Sequence, residues 1–228
     1  MTTIDKLENV SVDTPLPCEW TLWECFKMES TTVDYHLLLK QVITLSTVGD
    51  FAKHWTFLKH GSPSELFFDS NEKKHIKLEV GEDTWKIIET LCLFKSGIHP
   101  SFEDEHNGNG GGIYYVLDGL EKQQIDTLWL NLSAALVGTD LAIANNLNGI
   151  RFADKCTDHR TSFRIEFWLD SDISKTPEYE TFKNQVTSIF YDSSVNTMSQ
   201  PIYKIHRVDK KPVEKKNEEK KEEEKKST

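Results

Sequence analysis

Short strand-like segments alternate with three amphipathic helical stretches along this chain, and that alternation restricts its possible folds most strongly. In the segment 19–26, Trp20 and Leu22 fall on one face of an extended chain, and Trp23 and Cys25 fall on the other. This period of two is typical of a strand. Helices separated by runs of strands favour an α+β domain in which helices cover one face of a mostly antiparallel sheet. We therefore predict this fold class.

Apolar stripes mark the three helices. Phe51, Trp55 and Leu58 recur at positions i, i+4 and i+7 after a polar helix start, which is the spacing of one helix face. Similar stripes predict helices over 124–138 and 178–189.

The remaining apolar segments predict strands, and a short helix is expected near Trp85. Residues 97–112 form a glycine-containing loop in this prediction. Further strands are expected over 35–45, 112–117, 149–153, 162–169 and 201–208.

Charge and composition limit the function. The chain has 27 basic and 37 acidic side chains and a net charge of −10, so it lacks the basic face with which proteins grip long nucleic acids. No apolar run is long enough for a transmembrane helix or a signal peptide, and the four cysteines form no CxxC pair. These features predict free thiols, a cytoplasmic protein and no membrane association.

Both ends of the chain differ from its middle. Residues 209–228 carry eight lysines and seven acids but only one aliphatic side chain, Val213. Burial of so little apolar surface cannot offset the entropy lost on ordering. We expect a flexible N-terminus over 1–13, one domain over 14–208 and a disordered charged tail over 209–228.

The motifs of common enzymes are missing from the sequence. The glycines of 108–112 predict a flexible turn. The acidic residues 103–105 beside His106 are of a type that suits a hard cation. We predict no catalytic residue, no cofactor and no metal site. A metal-dependent nucleotide hydrolase that uses residues 103–106 is the alternative from another functional class.

One aromatic side chain lies in a polar loop. Phe102 is surrounded by serine and acidic residues in the segment 100–105. Such a ring either plugs the end of the core or is presented to a ligand, because loops carry much of protein function.

Six motifs occur in one order along the chain. They are EWTLW at 19–23, STVGDF at 46–51, LFKSGIHPSFEDE at 93–105, LWL at 128–130, NGI at 148–150 and IEFW at 165–168. In this order they resemble the eukaryotic translation initiation factor 4E family, whose members bind the 7-methylguanosine cap of messenger RNA. The loop motif at 93–105 is the most specific of the six.

The resemblance implies a curved sheet like a cupped hand, with three helices on its convex face. It also implies a monomeric cap-binding protein, not an enzyme, that acts in translation initiation. A 4G-like scaffold or a 4E-binding protein would dock through a YxxxxLΦ helix. The alternative within the family is a cap-binding repressor that does not recruit the 4G scaffold.

The resemblance places the cap base between the rings of Tyr35 and Phe102, where the family has two tryptophans. Electron-rich rings attract a cationic planar base, and these smaller rings predict weaker binding. Glu103 falls on the position that accepts from the N1 and N2 donors of guanine, and Trp168 on the position beside the N7-methyl group. The residues alone leave open that Tyr35 and Trp168 are ordinary strand aromatics and that Glu103 is a solvated acid.

Cations are expected at the cap phosphates. The resemblance places Lys155 and Arg164 there, and Arg160 could replace either. A lysine in place of the family arginine loses the fork geometry.

The resemblance also implies a partner groove on the convex face. Trp55 is offset from the family position, so a purely structural role in the core is the alternative for it. The segment 67–90 is longer than in the family, and its role is left open. The groove positions are Val48, Trp55, Trp129, Leu130 and Ala134.

Overall fold

Eight antiparallel strands form one sheet in the described part of the computed structural model, which comprises residues 11–28, 35–68, 75–81, 84–157, 159–196 and 198–206. The strands are β1 (Pro15–Met28), β2 (Leu39–Thr47), β3 (Leu78–Gly81), β4 (Thr84–Lys95), β5 (Gly111–Asp118), β6 (Leu147–Asp154), β7 (Ser162–Leu169) and β8 (Ile202–Ile205). Their order is β2-β1-β4-β6-β7-β5-β8, and β3 pairs with β4.

Three helices of ten or more residues and two shorter ones accompany the sheet in the described ranges. The helices are α1 (Val48–Phe57), α2 (Pro63–Phe67), α3 (Glu105–Gly108), α4 (Lys122–Val137) and α5 (Pro177–Asp192). Short 3₁₀ turns occupy Tyr35–Leu38 and Lys59–Gly61. None of the described helices has the length and apolar character needed to cross a bilayer.

The two faces of the sheet carry two separate apolar clusters. On the helix face, strand residues such as Leu22 and Ile165 pack with the helices in the main core. We call the opposite side the open face. Its smaller cluster consists of Trp23, Cys25, Cys92, Phe94, Ile98 and Trp168, with Tyr35 and Leu39 packed against it.

The start of α1 is fixed by a reciprocal cap. The Thr47 hydroxyl accepts from the backbone N–H of Asp50 at 3.1 Å, and the Asp50 carboxylate accepts from the backbone N–H of Thr47 at 3.0 Å. The backbone N–H groups of Val48 and Gly49 donate to the carbonyls of Thr14 and Val12, respectively. These bonds satisfy donors that have no partner inside the helix.

The predicted α+β class is confirmed, with three main helices on one face of an antiparallel sheet. The short helix expected near Trp85 is wrong, because Trp85 lies in β4 and pairs with Glu79 of β3. The strand expected from Tyr35 begins only at Leu39, after a 3₁₀ turn. The expected tail over 209–228 and most of the expected N-terminal segment lie outside the described residues.

The long segment 67–90 contributes to the sheet. Its second half forms β3 and the first part of β4, which pair as a hairpin. The described residues before β3 contact the rest of the domain, since Phe67 is buried and the His75 ring bonds to the Asp154 carboxylate at the end of β6. The described part of this segment is therefore attached to the sheet.

Candidate ligand-binding site on the open face

The loop 97–110, which joins β4 to β5, is held by hydrogen bonds from within. The Asp104 carboxylate accepts from the backbone N–H groups of His99 at 2.8 Å and His106 at 3.0 Å. Partial burial would raise the pKa of Asp104, but these N–H groups outweigh it, and the pKa lies below its usual value. The Asn107 side chain donates to the His99 carbonyl at 2.7 Å. These hydrogen bonds fix the conformation of the loop.

Phe102 projects from this loop as an exposed ring backed by a buried one. Phe102 is 45% exposed, whereas Trp168 behind it is fully buried. The two rings stack at 4.5 Å between centroids with 19° between their planes. Glu103 is exposed beside Phe102. A flat aromatic surface next to a free carboxylate can accept a planar ring that carries donor groups.

Tyr35 reaches the same loop through its hydroxyl group. The hydroxyl donates to the Pro100 carbonyl at 3.0 Å and lies 3.7 Å from the Cys25 sulfur. Burial raises the pKa of Tyr35, so the hydroxyl stays protonated and can donate. The family resemblance predicts Tyr35 opposite Phe102, but the ring stacked on Phe102 in the structure is Trp168. A sandwich of Tyr35 and Phe102 stays a prediction.

A buried carboxylate lies beneath these rings. Glu166 is 1% exposed and accepts from Arg151 at 3.1 Å, from Arg164 at 2.6 Å and from the Trp168 indole N–H at 3.0 Å. Burial would raise the pKa of Glu166, but the two guanidinium groups and the indole N–H outweigh it and hold the pKa below its usual range. The Arg151 guanidinium also lies over the Trp168 ring, 5.2 Å from its centroid.

All three cations predicted for the cap phosphates are in ion pairs. Arg164 binds the buried Glu166, as described. Lys155 pairs with Glu89 at 3.1 Å, and Arg160 pairs with Asp118 at 2.6 Å. Each of these cations is at least one-third exposed, so solvent and other anions can reach them.

On the helix face, Trp55 lies in an aromatic row. It stacks on Phe51 at 4.3 Å and lies 6.1 Å from Trp129. Trp129 is fully buried and donates its indole N–H to the His60 carbonyl at 2.9 Å. Trp55 is half-buried, and Leu130 is 40% exposed.

Those half-exposed residues line a depression between α1 and α4. Phe51, Trp55 and Leu130 contribute to its walls. Of the other predicted groove residues, Ala134 is exposed and Val48 is half-buried at the start of α1. The structure therefore leaves Trp55, Leu130, Ala134 and part of Val48 accessible and withdraws Trp129 into the core.

A family sequence model described as "Eukaryotic initiation factor 4E" matches residues 15–222. This chain belongs to the initiation factor 4E family. Initiation factor 4E of Candida albicans is 27% identical over 202 residues, which cover 87% of this chain and 85% of the relative. Initiation factor 4E-1 of Schizosaccharomyces pombe is 27% identical over 141 residues, which cover 61% of this chain and 54% of the relative. The match thus spans about half the length of the latter.

Solved structures of 4E proteins share the fold. A complex of Caenorhabditis elegans eIF4E-3 with the 4E-binding protein Mextli has a TM-score of 0.60 and 20% identity, covering 85% of this chain and 94% of that one. A complex of Ascaris suum eIF4E-3 with m7G cap has a TM-score of 0.58 and 20% identity, covering 85% and 92%. The expected cupped sheet is thereby confirmed.

For this 4E family member, sequence reasoning identified part of the open-face site and missed another part. It singled out Phe102 and Trp168, which the structure stacks together. It did not single out Arg151, Glu166 or His206, which surround Trp168. The sequence held one usable signal, because Glu166 lies two residues before Trp168 in a strand, and such residues share a face.

Proposed function

We propose that this chain binds the 7-methylguanosine cap of messenger RNA on its open face, in the cytoplasm, and that it acts there in translation initiation by binding alone, without catalysis. The observation that carries the proposal is the exposed ring of Phe102 beside the exposed Glu103, on the loop of a 4E family member. The Ascaris suum neighbour was solved with m7G cap, which supports the same ligand class here.

The base would stack on the outer face of Phe102. N7-methylation makes guanine cationic, and a cation over an aromatic face is attracted by the ring quadrupole. The Glu103 carboxylate would accept from the N1 and N2 donors of the base and neutralise its charge. The backbone N–H of Phe102 would meet O6. Tyr35 would complete the slot from the other side. Trp168 is predicted beside the N7-methyl group, but it is fully buried behind the inner face of Phe102, so in this arrangement it supports the stacking ring and does not contact the methyl group.

The phosphates would have to compete with protein carboxylates. Lys155 and Arg164 are partly exposed but paired with Glu89 and Glu166, and Arg160 is paired with Asp118. A phosphate gains less from a cation that already has a partner, since the existing pair must be broken. We therefore propose that base recognition dominates affinity in this chain.

Retention on 7-methyl-GTP resin tests the proposal. The wild-type protein should be retained and should elute with 7-methyl-GTP but not with GTP. Glu103→Ala should weaken binding by about 10- to 100-fold, because a hydrogen bond to a charged group contributes about 1.5–3 kcal/mol. Glu105→Ala removes a neighbouring exposed acid and should bind like the wild type. Equal loss in both variants would show that only loop charge matters.

The same preparation tests for catalysis. Incubation with 7-methyl-GTP and Mg²⁺ or Mn²⁺ should leave the nucleotide intact. Turnover that disappears in Glu103→Ala would favour the nucleotide hydrolase over the binding protein.

We further propose that the depression beside Trp55 receives a YxxxxLΦ helix of a 4G-like scaffold or a 4E-binding protein. An amphipathic helix needs apolar anchors in its groove, and Phe51, Trp55 and Leu130 line this one. The Caenorhabditis elegans neighbour was solved with a 4E-binding protein. A tagged YxxxxLΦ peptide should capture the protein as a monomer, and Trp55→Ala should abolish capture. Cap binding without capture would instead favour a repressor that does not recruit the scaffold.

A further inference from the structure

His206 follows β8 directly and contacts two rings at the proposed base site, those of Phe102 and Trp168. Its ring centroid lies 4.8 Å from that of Phe102, with 78° between the planes, and 4.8 Å from that of Trp168. His206 is only 6% exposed. The edge-to-face arrangement with Phe102 is a favourable geometry for aromatic pairs.

Hydrogen bonds fix how the His206 ring is held. Its Nδ1 lies 3.1 Å from the Asn107 carbonyl, which can only accept, so Nδ1 carries the proton. Its Nε2 then accepts from the Tyr114 hydroxyl at 3.2 Å. The backbone N–H of His206 donates to the Gly110 carbonyl at 2.9 Å. The ring is therefore tied both to the loop 97–110 and to β5.

The contact with His206 bears on the freedom of Phe102. Phe102 is nearly half exposed, and its ring is packed by Trp168 on one face and by His206 at an angle. Without the second contact, the ring could leave its stacking position. Ordering a side chain on binding lowers affinity, and a ring already held in place avoids that cost.

We propose that His206 is a positioning residue of the proposed base site, and that its ring, more than its hydrogen bonds, holds Phe102 in place for the base. This inference rests on the proposed function, because its readout is the affinity for 7-methyl-GTP.

Two variants separate the ring from its hydrogen bonds. His206→Phe keeps an aromatic ring and loses both side-chain hydrogen bonds, whereas His206→Asn keeps a donor near the Asn107 carbonyl and loses the ring. Affinity for 7-methyl-GTP is measured by quenching of tryptophan fluorescence. We expect His206→Phe to bind within about twofold of the wild type and His206→Asn to bind about five- to tenfold more weakly.

Comparing melting temperature with affinity separates positioning from a merely structural role, because a merely structural role would make both change together. His206→Phe should lower the melting temperature, since the Tyr114 hydroxyl loses its acceptor, yet affinity should be retained. Equal affinity in His206→Asn and the wild type would overturn the inference, and so would a loss in His206→Phe as large as in His206→Asn. If His206→Asn does not fold, His206→Leu replaces it as the variant without a ring. A wild-type protein that ignores 7-methyl-GTP overturns the proposed function itself.

Discussion

Removing the charge of Glu166 should destabilise the protein by an amount that the structure allows to be estimated. The carboxylate is buried and binds one mostly buried guanidinium, Arg151, and one half-exposed guanidinium, Arg164. Glu166→Gln leaves the buried Arg151 without a counter-ion and places an amide donor against one of the two cations. An unpaired buried charge is costly, so this variant tests the network directly.

The magnitude follows from the two contacts. The bond from Arg151 contributes about 1.5–3 kcal/mol, as is typical of a hydrogen bond to a charged group. The Arg164 side chain is 39% exposed, so the contribution of its bond is discounted for solvent screening to about 0.5–1 kcal/mol. We therefore expect Glu166→Gln to lower the free energy of unfolding by about 2–4 kcal/mol at pH 7. Glu103→Gln, on the exposed loop, should change it by less than about 0.5 kcal/mol.

The pH dependence provides an independent check. The pKa of Glu166 is lower in the folded protein than in the unfolded chain, so the unfolded chain binds the proton more tightly. The stabilisation is therefore present above the unfolded pKa of about 4.3 and is lost as the pH falls through the folded pKa. In urea unfolding, the difference between Glu166→Gln and wild type should be constant above about pH 5 and shrink in stronger acid. A difference below about 1 kcal/mol at pH 7 would refute the reasoning.

Three further predictions concern single positions. Thr47→Ala should cost about 1 kcal/mol, because it removes the cap hydroxyl that accepts from Asp50; urea unfolding that gives no loss contradicts the cap. Burial lowers the pKa of His54 to about 4, so the stability of the protein should fall as the pH drops from 6.5 to 4. His54→Leu should remove this loss of stability in thermal melts. Gly149→Ala should be strongly destabilising or unfold the protein, because its Cβ would lie 2.4 Å from the Phe94 ring; a near-normal melt would refute that packing.

Local sequence signals predicted the elements whose stabilising contacts are local. The alternation of Trp20 and Leu22 against Trp23 and Cys25 is what places them in two clusters on opposite faces of β1. The polar start at Thr47 is a helix signal that acts within one turn. For such elements, periodicity and capping are the physical cause, so the sequence is sufficient.

Trp85 shows where local reasoning fails. Local sequence predicts a helix for its segment, but the residues that decide its conformation are in β3 and β1, which flank this part of β4. Pairing with strands on both sides supplies hydrogen bonds that cannot be predicted from the segment alone. Tertiary context therefore overrides local preference.

The candidate site also contains residues that local sequence predicts and residues that only the fold brings together. Phe102 and Glu103 are adjacent in one motif, so the sequence could predict them together. Arg151 and His206 come from β6 and from the residue after β8, and only the sheet order brings them to Trp168. A contact between such distant parts of the chain has no periodic signature.

The contacts of Trp168 join the base site to the charge network. Its ring stacks on Phe102 above, meets His206 at an angle and faces the Arg151 guanidinium, while its N–H donates to Glu166. Movement of the exposed Phe102 ring therefore changes the packing of a buried ring that is fixed by a carboxylate. Because that carboxylate also holds Arg164, the proposed base stacking and the proposed phosphate attraction on this face would not be independent, and substitutions at the network should alter both.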